Sequence, residues 1–248
     1  MNKIQIEFCR IHNLTKEEFY GDVKVKGSLD LMSLTSIPKG FNPTVGGYLY
    51  LGSLTSIPKG FNPTVGGSLD LRSLNSIPKE FNPIVGDTLY LGSLTSIPKG
   101  FNPTVGGSLD LRSLTSIPEE FNPIVGDTLY LGSLTSIPEE FNPIVGGSLD
   151  LGSLTSIPEE FNPTVGGYLY LGSSIECRYK YIDENYIFSW NKGKYIKVDG
   201  IFAEVLNKKK NVWKVKKIGN NRKSFIVTDG YKYSHGNTIK EANKSLRK

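Results

Sequence analysis

Two cysteines, two histidines and two tryptophans in 248 residues limit the chemistry open to this chain. Cys9 and Cys177 are too few to staple an extracellular domain and suit a reducing compartment. His12 and His235 have no Cys, Ser or second His at motif spacing, which argues against a metal centre or an activated nucleophile. No cofactor is expected. No stretch of about eighteen residues is continuously apolar, so no contact with a membrane is expected. The opening residues, Met1 to Asn13, lack the apolar centre and cleavage site of a secretory signal, and the expected location is the cytoplasm. Proline is missing from the last 75 residues, although the chain has fourteen.

All fourteen prolines fall in a repeat, two in each of seven units. From Gly27 to Ser173 the sequence recurs every twenty residues, and the middle of each Leu-x-Leu alternates between two residue types: Asp30, Tyr50, Asp70, Tyr90, Asp110, Tyr130, Asp150, Tyr170. A fixed period of this length marks a solenoid, whose coils bury their apolar edges only by stacking on one another. Coils stacked at the spacing of hydrogen-bonded strands, about 4.8 Å, write each repeated residue as a row down one face.

The unit from Gly107 to Gly126 shows how a coil is built. Leu109 and Leu111 point inward from a short strand with Asp110 outward. A turn follows at Ser113, and Leu114, Ile117, Phe121 and Val125 complete the inside. Pro118 and Pro123 remove amide donors and restrict the residues before them, so the return stroke is extended or irregular. The Gly pair closing each coil is expected to take an unusual backbone conformation. Each inward side chain contributes about 1.5–3 kcal/mol when fully buried. The pattern Leu-x-Leu-x-x-Leu-x-x-Ile-Pro resembles a leucine-rich repeat shortened at its polar rung and without a helical back. A pentapeptide-type or other parallel β-helix remains the alternative.

Three segments follow: residues 1–26, 27–173 and 174–248. In the first, residues 7–26 read as a degenerate coil, with Cys9-Arg-Ile11 in the place of Leu29-Asp-Leu31 and Val25 in that of Val45. Thr15-x-x-Glu18 carries a capping-box signature. The second holds about eight coils, the last begun at Tyr168–Ser173. In the third, apolar and charged residues alternate over Tyr186–Trp190, Lys194–Val198, Ile201–Leu206, Val212–Ile218 and Ser224–Thr228, and Thr238-x-x-Glu241 opens a terminal helix. The expected fold is mainly β: a leucine-rich-repeat-like parallel solenoid, then a small antiparallel sheet with one C-terminal helix. An open last coil exposes apolar surface and a strand edge, so the C-terminal domain is expected to act partly as its lid.

The net charge of +5 conceals a division. Residues 27–173 carry six Lys/Arg against thirteen Asp/Glu, whereas residues 174–248 carry eighteen against seven. Two surfaces with different partners, or two parts that attract each other, follow from such a split. Within the solenoid, Lys39, Lys59, Lys79 and Lys99 give way at the same position to Glu119, Glu139 and Glu159, flanked by Glu120, Glu140 and Glu160. This acidic edge is either a solvated face left by duplication or a contact for a basic partner.

On the Asp/Tyr row, Gly follows two residues after every Tyr, and Arg72 and Arg112 follow two of the four Asp. Asp70–Arg72 and Asp110–Arg112 are spaced to pair locally. The candidate protein-binding residues are Asp70, Tyr90, Asp110, Arg112, Tyr130, Asp150 and Tyr170 on this row, with Glu119, Glu120, Glu139, Glu140, Glu159 and Glu160 on the acidic edge. Candidate nucleic-acid contacts are Lys208, Lys209, Lys210, Lys214, Lys216, Lys217, Arg222 and Lys223, interleaved with aromatic residues such as Tyr195 and Trp213. The Asn of each Phe-Asn-Pro is expected to satisfy backbone groups at the turns.

The strings Lys197-Val-Asp-Gly-Ile-Phe-Ala-Glu-Val-Leu206, Val212-Trp-Lys-Val-Lys-Lys-Ile218, Val227-Thr-Asp-Gly230 and His235-Gly-Asn-Thr-Ile-Lys-Glu-Ala242, behind repeats of this wording, resemble uncharacterised phage and prophage proteins. The resemblance implies a protein acting inside an infected bacterium, with a host or phage protein as partner. It brings no activity and no site residues. The expected function is non-enzymatic: a protein-binding solenoid that occludes a host protein such as a defence factor. Nucleic-acid binding through the basic C-terminal domain is the alternative, and a small-ligand sponge built on the Tyr row a third. Paired carboxylates two coils apart match the separation in an inverting glycosidase, but catalytic acids are singular whereas these recur in near-identical settings.

Overall fold

The computed structural model describes residues 1–173, 180–181, 188–198, 201–218 and 223–247. Cys177, Arg222, and Tyr186 and Ile187 at the start of the first expected C-terminal strand lie outside the described residues. Residues 27–166 form seven complete coils of a parallel β-solenoid, and each coil contributes two short strands. Strands from Leu29–Asp30 to Leu169–Leu171 stack as an eight-stranded parallel sheet, here the Asp/Tyr sheet. Strands from Lys24–Val25 to Lys180–Tyr181 stack as a second sheet of nine, here the Val sheet. Pairing is in step with the repeat, so Asp110 lies between Tyr90 and Tyr130. Two strands per coil, and no helix on the return stroke, make this a β-solenoid.

The inward residues are those the pattern singles out. Leu109, Leu111, Leu114 and Val125 are fully buried and Phe121 nearly so, while Ile117 is half-buried. The second proline of each coil, such as Pro123, is also buried. Phe61, Phe81, Phe101, Phe121 and Phe141 stack nearly parallel with ring centroids 6.2 to 6.4 Å apart. Beside them runs an asparagine ladder: the Asn82 N–H donates to the Asn62 amide oxygen at 2.7 Å, and Asn62 Nδ2 donates to the Glu80 carbonyl at 2.8 Å. Asn62, Asn82 and Asn102 thus each tie two coils and close a proline turn, the backbone-satisfying role expected for them.

The glycines depart from expectation in an instructive way. Positive φ occurs not at the coil-closing pair but in the Pro-Lys-Gly-Phe turns, at Gly40, Gly60 and Gly100 (φ 81 to 86°). These are type II turns; where Glu80, Glu120, Glu140 or Glu160 stands instead, φ is negative as a type I turn requires, and the closing bond from the Phe N–H to the Pro carbonyl persists. At the coil-closing corner glycine is needed for proximity: a Cβ on Gly106 or Gly126 would lie 2.3 to 2.4 Å from the carbonyl oxygen of the glycine one coil earlier.

At the N-terminal end, helix α1 (Lys3–Ile11) and helix α2 (Lys16–Tyr20) begin with capping boxes from Asn2–Gln5 and Thr15–Glu18. The degenerate coil is half present. Val25 pairs with Val45 as aligned, but Cys9-Arg-Ile11 ends α1 instead of forming a strand. The helix places Phe8 5.0 Å from Phe41 and 5.9 Å from Phe19, which prolongs the phenylalanine stack and covers the first coil.

The C-terminal module is a six-stranded antiparallel sheet in sequence order: Phe188–Trp190, Tyr195–Val198, Ile201–Lys209, Val212–Lys217, Lys223–Thr228 and Tyr233–Gly236. It curls until its second and last strands approach, enclosing Ile196, Val198, Ala203, Trp213, Val215 and Ile226. Helix α3 (Ile239–Leu246), capped by Thr238, packs on the last two strands. No helix among the described residues is long and apolar enough to cross a membrane.

The six-stranded sheet makes its described contacts with the side of the solenoid and not with its last coil. It rests on the flank, on the Val sheet. Phe202, Ile218 and Tyr195 pack against Ile124 and Ile144, and Lys197 Nζ donates to the Gly126 and Gly146 carbonyls. The outward position of this sheet is Thr in four coils and Ile at 84, 124 and 144; the module lies on the last two isoleucines, and Ile84 stays exposed. Burial pushes the Lys197 ammonium below the ordinary lysine value, with Asp127 opposing. Past the last coil, Lys180–Tyr181 adds one further strand to the Val sheet.

Three substitutions test this packing. Phe101→Ala, which opens a gap in the stack, is expected to cost about 3–5 kcal/mol in denaturant unfolding. Lys197→Glu, which sets a carboxylate against two carbonyls and Asp127, is expected to release the module and raise the radius of gyration in solution scattering. Lys197→Met keeps it docked, since an apolar replacement of a buried charge costs little.

Candidate functional site

The Asp/Tyr sheet presents its outward residues as the sequence arranges them, with unequal exposure. Asp70 and Asp110 are buried (3% and 6% exposed), whereas Asp150 is half-buried and Asp30 exposed. In every case the carboxylate folds back on its own strand end: Oδ1 accepts the backbone N–H two residues on, at 3.0 to 3.2 Å, from Met32, Arg72, Arg112 and Gly152. The carboxylate is thereby laid over the preceding coil. A Cβ on Gly52, Gly92 or Gly132 would lie 3.2 to 3.4 Å from the Oδ2 of Asp70, Asp110 or Asp150. Gly52, Gly92 and Gly132 are therefore the seats of the next coil's Asp, and in these coils the alternation of Asp with Tyr-x-Gly is one packing rule.

Two of the four carboxylates hold an arginine. Arg72 Nε lies 2.9 and 3.0 Å from the two oxygens of Asp70, and Arg112 Nε 2.9 and 3.1 Å from those of Asp110. These bonds hold both guanidinium groups above the ordinary arginine value. Each guanidinium then sits over the tyrosine of the next coil, 5.7 Å from the Tyr90 centroid and 5.8 Å from that of Tyr130. The result is a doubled cluster, Asp70–Arg72–Tyr90 and Asp110–Arg112–Tyr130, recurring two coils or about 9–10 Å apart. The arginines remain some 60% exposed (62% and 64%), so the faces they turn outward are donor-rich and rigidly held. Beyond the second cluster a groove of about 410 Å³ is lined by Arg112, Ser113, Tyr130, Gly132, Ser133 and Asp150.

Comparison with protein-family models, with curated proteins and with solved structures finds no match. The functional reading rests on the geometry of this chain.

The acidic edge is separate from the row. Glu119, Glu120, Glu139, Glu140, Glu159 and Glu160 are all exposed, and none forms an ion pair with a described residue. The C-terminal lysines do not share one surface. Residues opposite each other in an antiparallel pair lie on the same face, which puts Lys214, Lys216 and Lys223 on the outer side of the sheet. Lys208 and Lys217 lie on the other, with Lys208 Nζ 4.0 Å from the Trp213 ring centroid. Lys209 and Lys210 stand at a hairpin tip, and Glu204 takes Lys216 at 3.3 Å. Trp213 is a core residue, and so is not free to stack a base. Among the described residues no group of three or more His, Cys, Asp or Glu is placed to hold a metal ion.

Sequence reasoning paired Asp with Arg correctly but did not place the arginines over the next tyrosines. The docking residues Ile124, Ile144 and Lys197 were not singled out either; their signal is the Thr-to-Ile change in an otherwise constant coil. Asp110→Asn is expected to unlock Arg112 alone: the slowly exchanging Nε–H signal of Arg112 disappears in NMR while that of Arg72 persists, with a stability loss of about 1 kcal/mol.

Proposed function

We propose that this chain is a non-enzymatic protein-binding solenoid whose working surface is the Asp/Tyr sheet. The observation that carries the reading is the doubled Asp–Arg–Tyr cluster. Arginine and tyrosine are the residues that most often dominate binding energy at protein interfaces, and here both are fixed before any partner arrives. A guanidinium tied to a buried carboxylate and laid on a ring has little rotamer freedom left to lose. Repetition supports recognition over catalysis, since two equivalent clusters on a flat sheet offer contact area and no single reacting centre. The Val sheet carries the chain's own C-terminal module and so leaves the Asp/Tyr sheet for an external partner. The split of the C-terminal lysines over two faces weighs against nucleic-acid binding as the primary role.

On the resemblance to phage proteins, the partner is a bacterial cytoplasmic protein that binding would occlude, such as a defence factor. Affinity capture from nuclease-treated bacterial lysate at moderate salt is expected to yield one protein in stoichiometric amount. Tyr90→Ala, Tyr130→Ala and Arg112→Ala together are expected to weaken that capture at least about tenfold. Capture unchanged by this triple substitution sinks the reading. Recovery of nucleic acid alone from untreated lysate, lost with salt, moves the function to the basic module.

A further inference from the structure

The Asp/Tyr sheet applies one rule twice and then omits a part. In the third and fifth coils the carboxylate, the arginine two residues on and the tyrosine of the next coil form a closed set. In the seventh coil the carboxylate is Asp150 and the next tyrosine is Tyr170, but the residue two on is Gly152. Everything else is in place. Asp150 Oδ1 accepts the Gly152 N–H at 3.1 Å, as Asp70 and Asp110 accept theirs, and its Oδ2 overlies Gly132 as theirs overlie Gly52 and Gly92. No cation among the described residues forms an ion pair with Asp150 or covers Tyr170; Arg112, which lines the same groove, acts on Asp150 only at a distance. Tyr170, on the last strand of the sheet, is 53% exposed, where Tyr90 and Tyr130 are half-buried. The first coil is also followed by a tyrosine pair, Tyr48 on Tyr50 at 5.8 Å, but differs in that the Met32 side chain stands in the arginine's place and Asp30 is exposed.

The geometry points to a binding site at Asp150, Gly152 and Tyr170 for an arginine side chain of a partner protein. This rests on the reading of the Asp/Tyr sheet as a protein-binding surface. The incoming guanidinium takes the position that Arg112 and Arg72 occupy two and four coils earlier, bonded to the carboxylate and lying on the ring. Tyr168, 5.9 Å from Tyr170 and tilted by 44°, supplies a second aromatic wall. Arginine suits the site better than lysine, since a planar fork can meet both oxygens and stack at once, which a compact ammonium cannot. Charge favours the same occupant: the last three coils are those that carry the six exposed glutamates, which pair with no described cation. Two resident arginines and one supplied in trans would continue a row at about 9–10 Å spacing across the interface.

Titration of the full chain with the capped tripeptide Gly-Arg-Gly, followed by backbone and side-chain NMR, tests the site. Shifts confined to Asp150, Gly152, Tyr168 and Tyr170, with a roughly millimolar dissociation constant, are expected, together with at least about tenfold weaker binding of Gly-Lys-Gly. Gly152→Arg is the decisive variant. It places a resident arginine where the sheet already accepts two, and is expected to fold, to cover Tyr170 and to abolish peptide binding. Asp150→Asn is expected to abolish binding without closing the site. No localised shift with wild-type protein, equal binding of the lysine peptide, or undiminished binding to a folded Gly152→Arg variant overturns the proposal. If the peptide fails while the Tyr90, Tyr130 and Arg112 substitutions still abolish protein capture, the arginine site falls and the protein-binding reading stands.

Discussion

Parallel hydrogen bonding in register between successive coils is the constraint on which the molecule depends. Because every strand pairs with its counterpart twenty residues on, each residue type meets its own kind or one chosen alternate. Side chains that gain from self-stacking can therefore repeat without limit: Phe on Phe, Asn amide to Asn N–H, Val over Val. Carboxylates cannot, and adjacent rungs at about 4.8 Å would set like charges side by side. The sheet avoids this by placing Tyr between Asp residues. The same alternation gives Asp70, Asp110 and Asp150 a glycine of the coil before to lie on, so electrostatics and packing select one pattern. On the acidic edge no such alternation occurs. The six glutamates stay exposed, where water screens what the register brings together.

Departures from the repeat carry the individuality of the chain. A threonine changed to isoleucine does not alter the coil, since the position faces outward, yet at 124 and 144 it creates the apolar seat for Phe202 and Ile218. A glycine changed to arginine at 72 and 112 leaves the strand unchanged and adds a guanidinium over the next ring. In a solenoid the inward residues belong to the fold and are held constant by the neighbours on either side. Outward ones are free to differ, and in this chain they differ in a few coils only, which separates the sites from the scaffold.

Most of the solenoid was legible because its signals are local and repeated. Leu-x-Leu fixed the outward row, the prolines excluded a helical return, and the Asn ladder followed from a polar residue between Phe and Pro. What the sequence did not disclose depends on contacts distant along the chain. Cys9-Arg-Ile11 matched a coil strand, but a capping box at Asn2 and the pull of Phe8 toward Phe41 made it the end of a helix. The strand Tyr233–Gly236 is not among the alternating segments of the sequence because it is short, polar and ends in glycine; its pairing with Lys223–Thr228 and the packing of Ala242 over Gly236 define it. Asp–Arg pairing was visible at a spacing of two, whereas the arginine–tyrosine contact, eighteen residues apart, needed the register.

The charge division between solenoid and module invites an electrostatic account of their association, and the contact itself does not support one. Among the described residues the seat is two isoleucines under two apolar residues and a tyrosine, with one lysine held by backbone carbonyls and only Asp127 near it. Ion pairs at such a surface contribute little, and the buried ammonium bears a desolvation cost that its carbonyl partners offset. The opposite charges of the two parts are thus largely unspent in holding them together. They remain on the exposed glutamate edge of the last coils and on the outer lysines of the module, as surfaces of opposite sign on one molecule. A partner that meets the Asp/Tyr sheet of coils five to seven approaches through the acidic field, and one bearing arginine is drawn to the end of the row where Asp150 and Tyr170 are still uncovered.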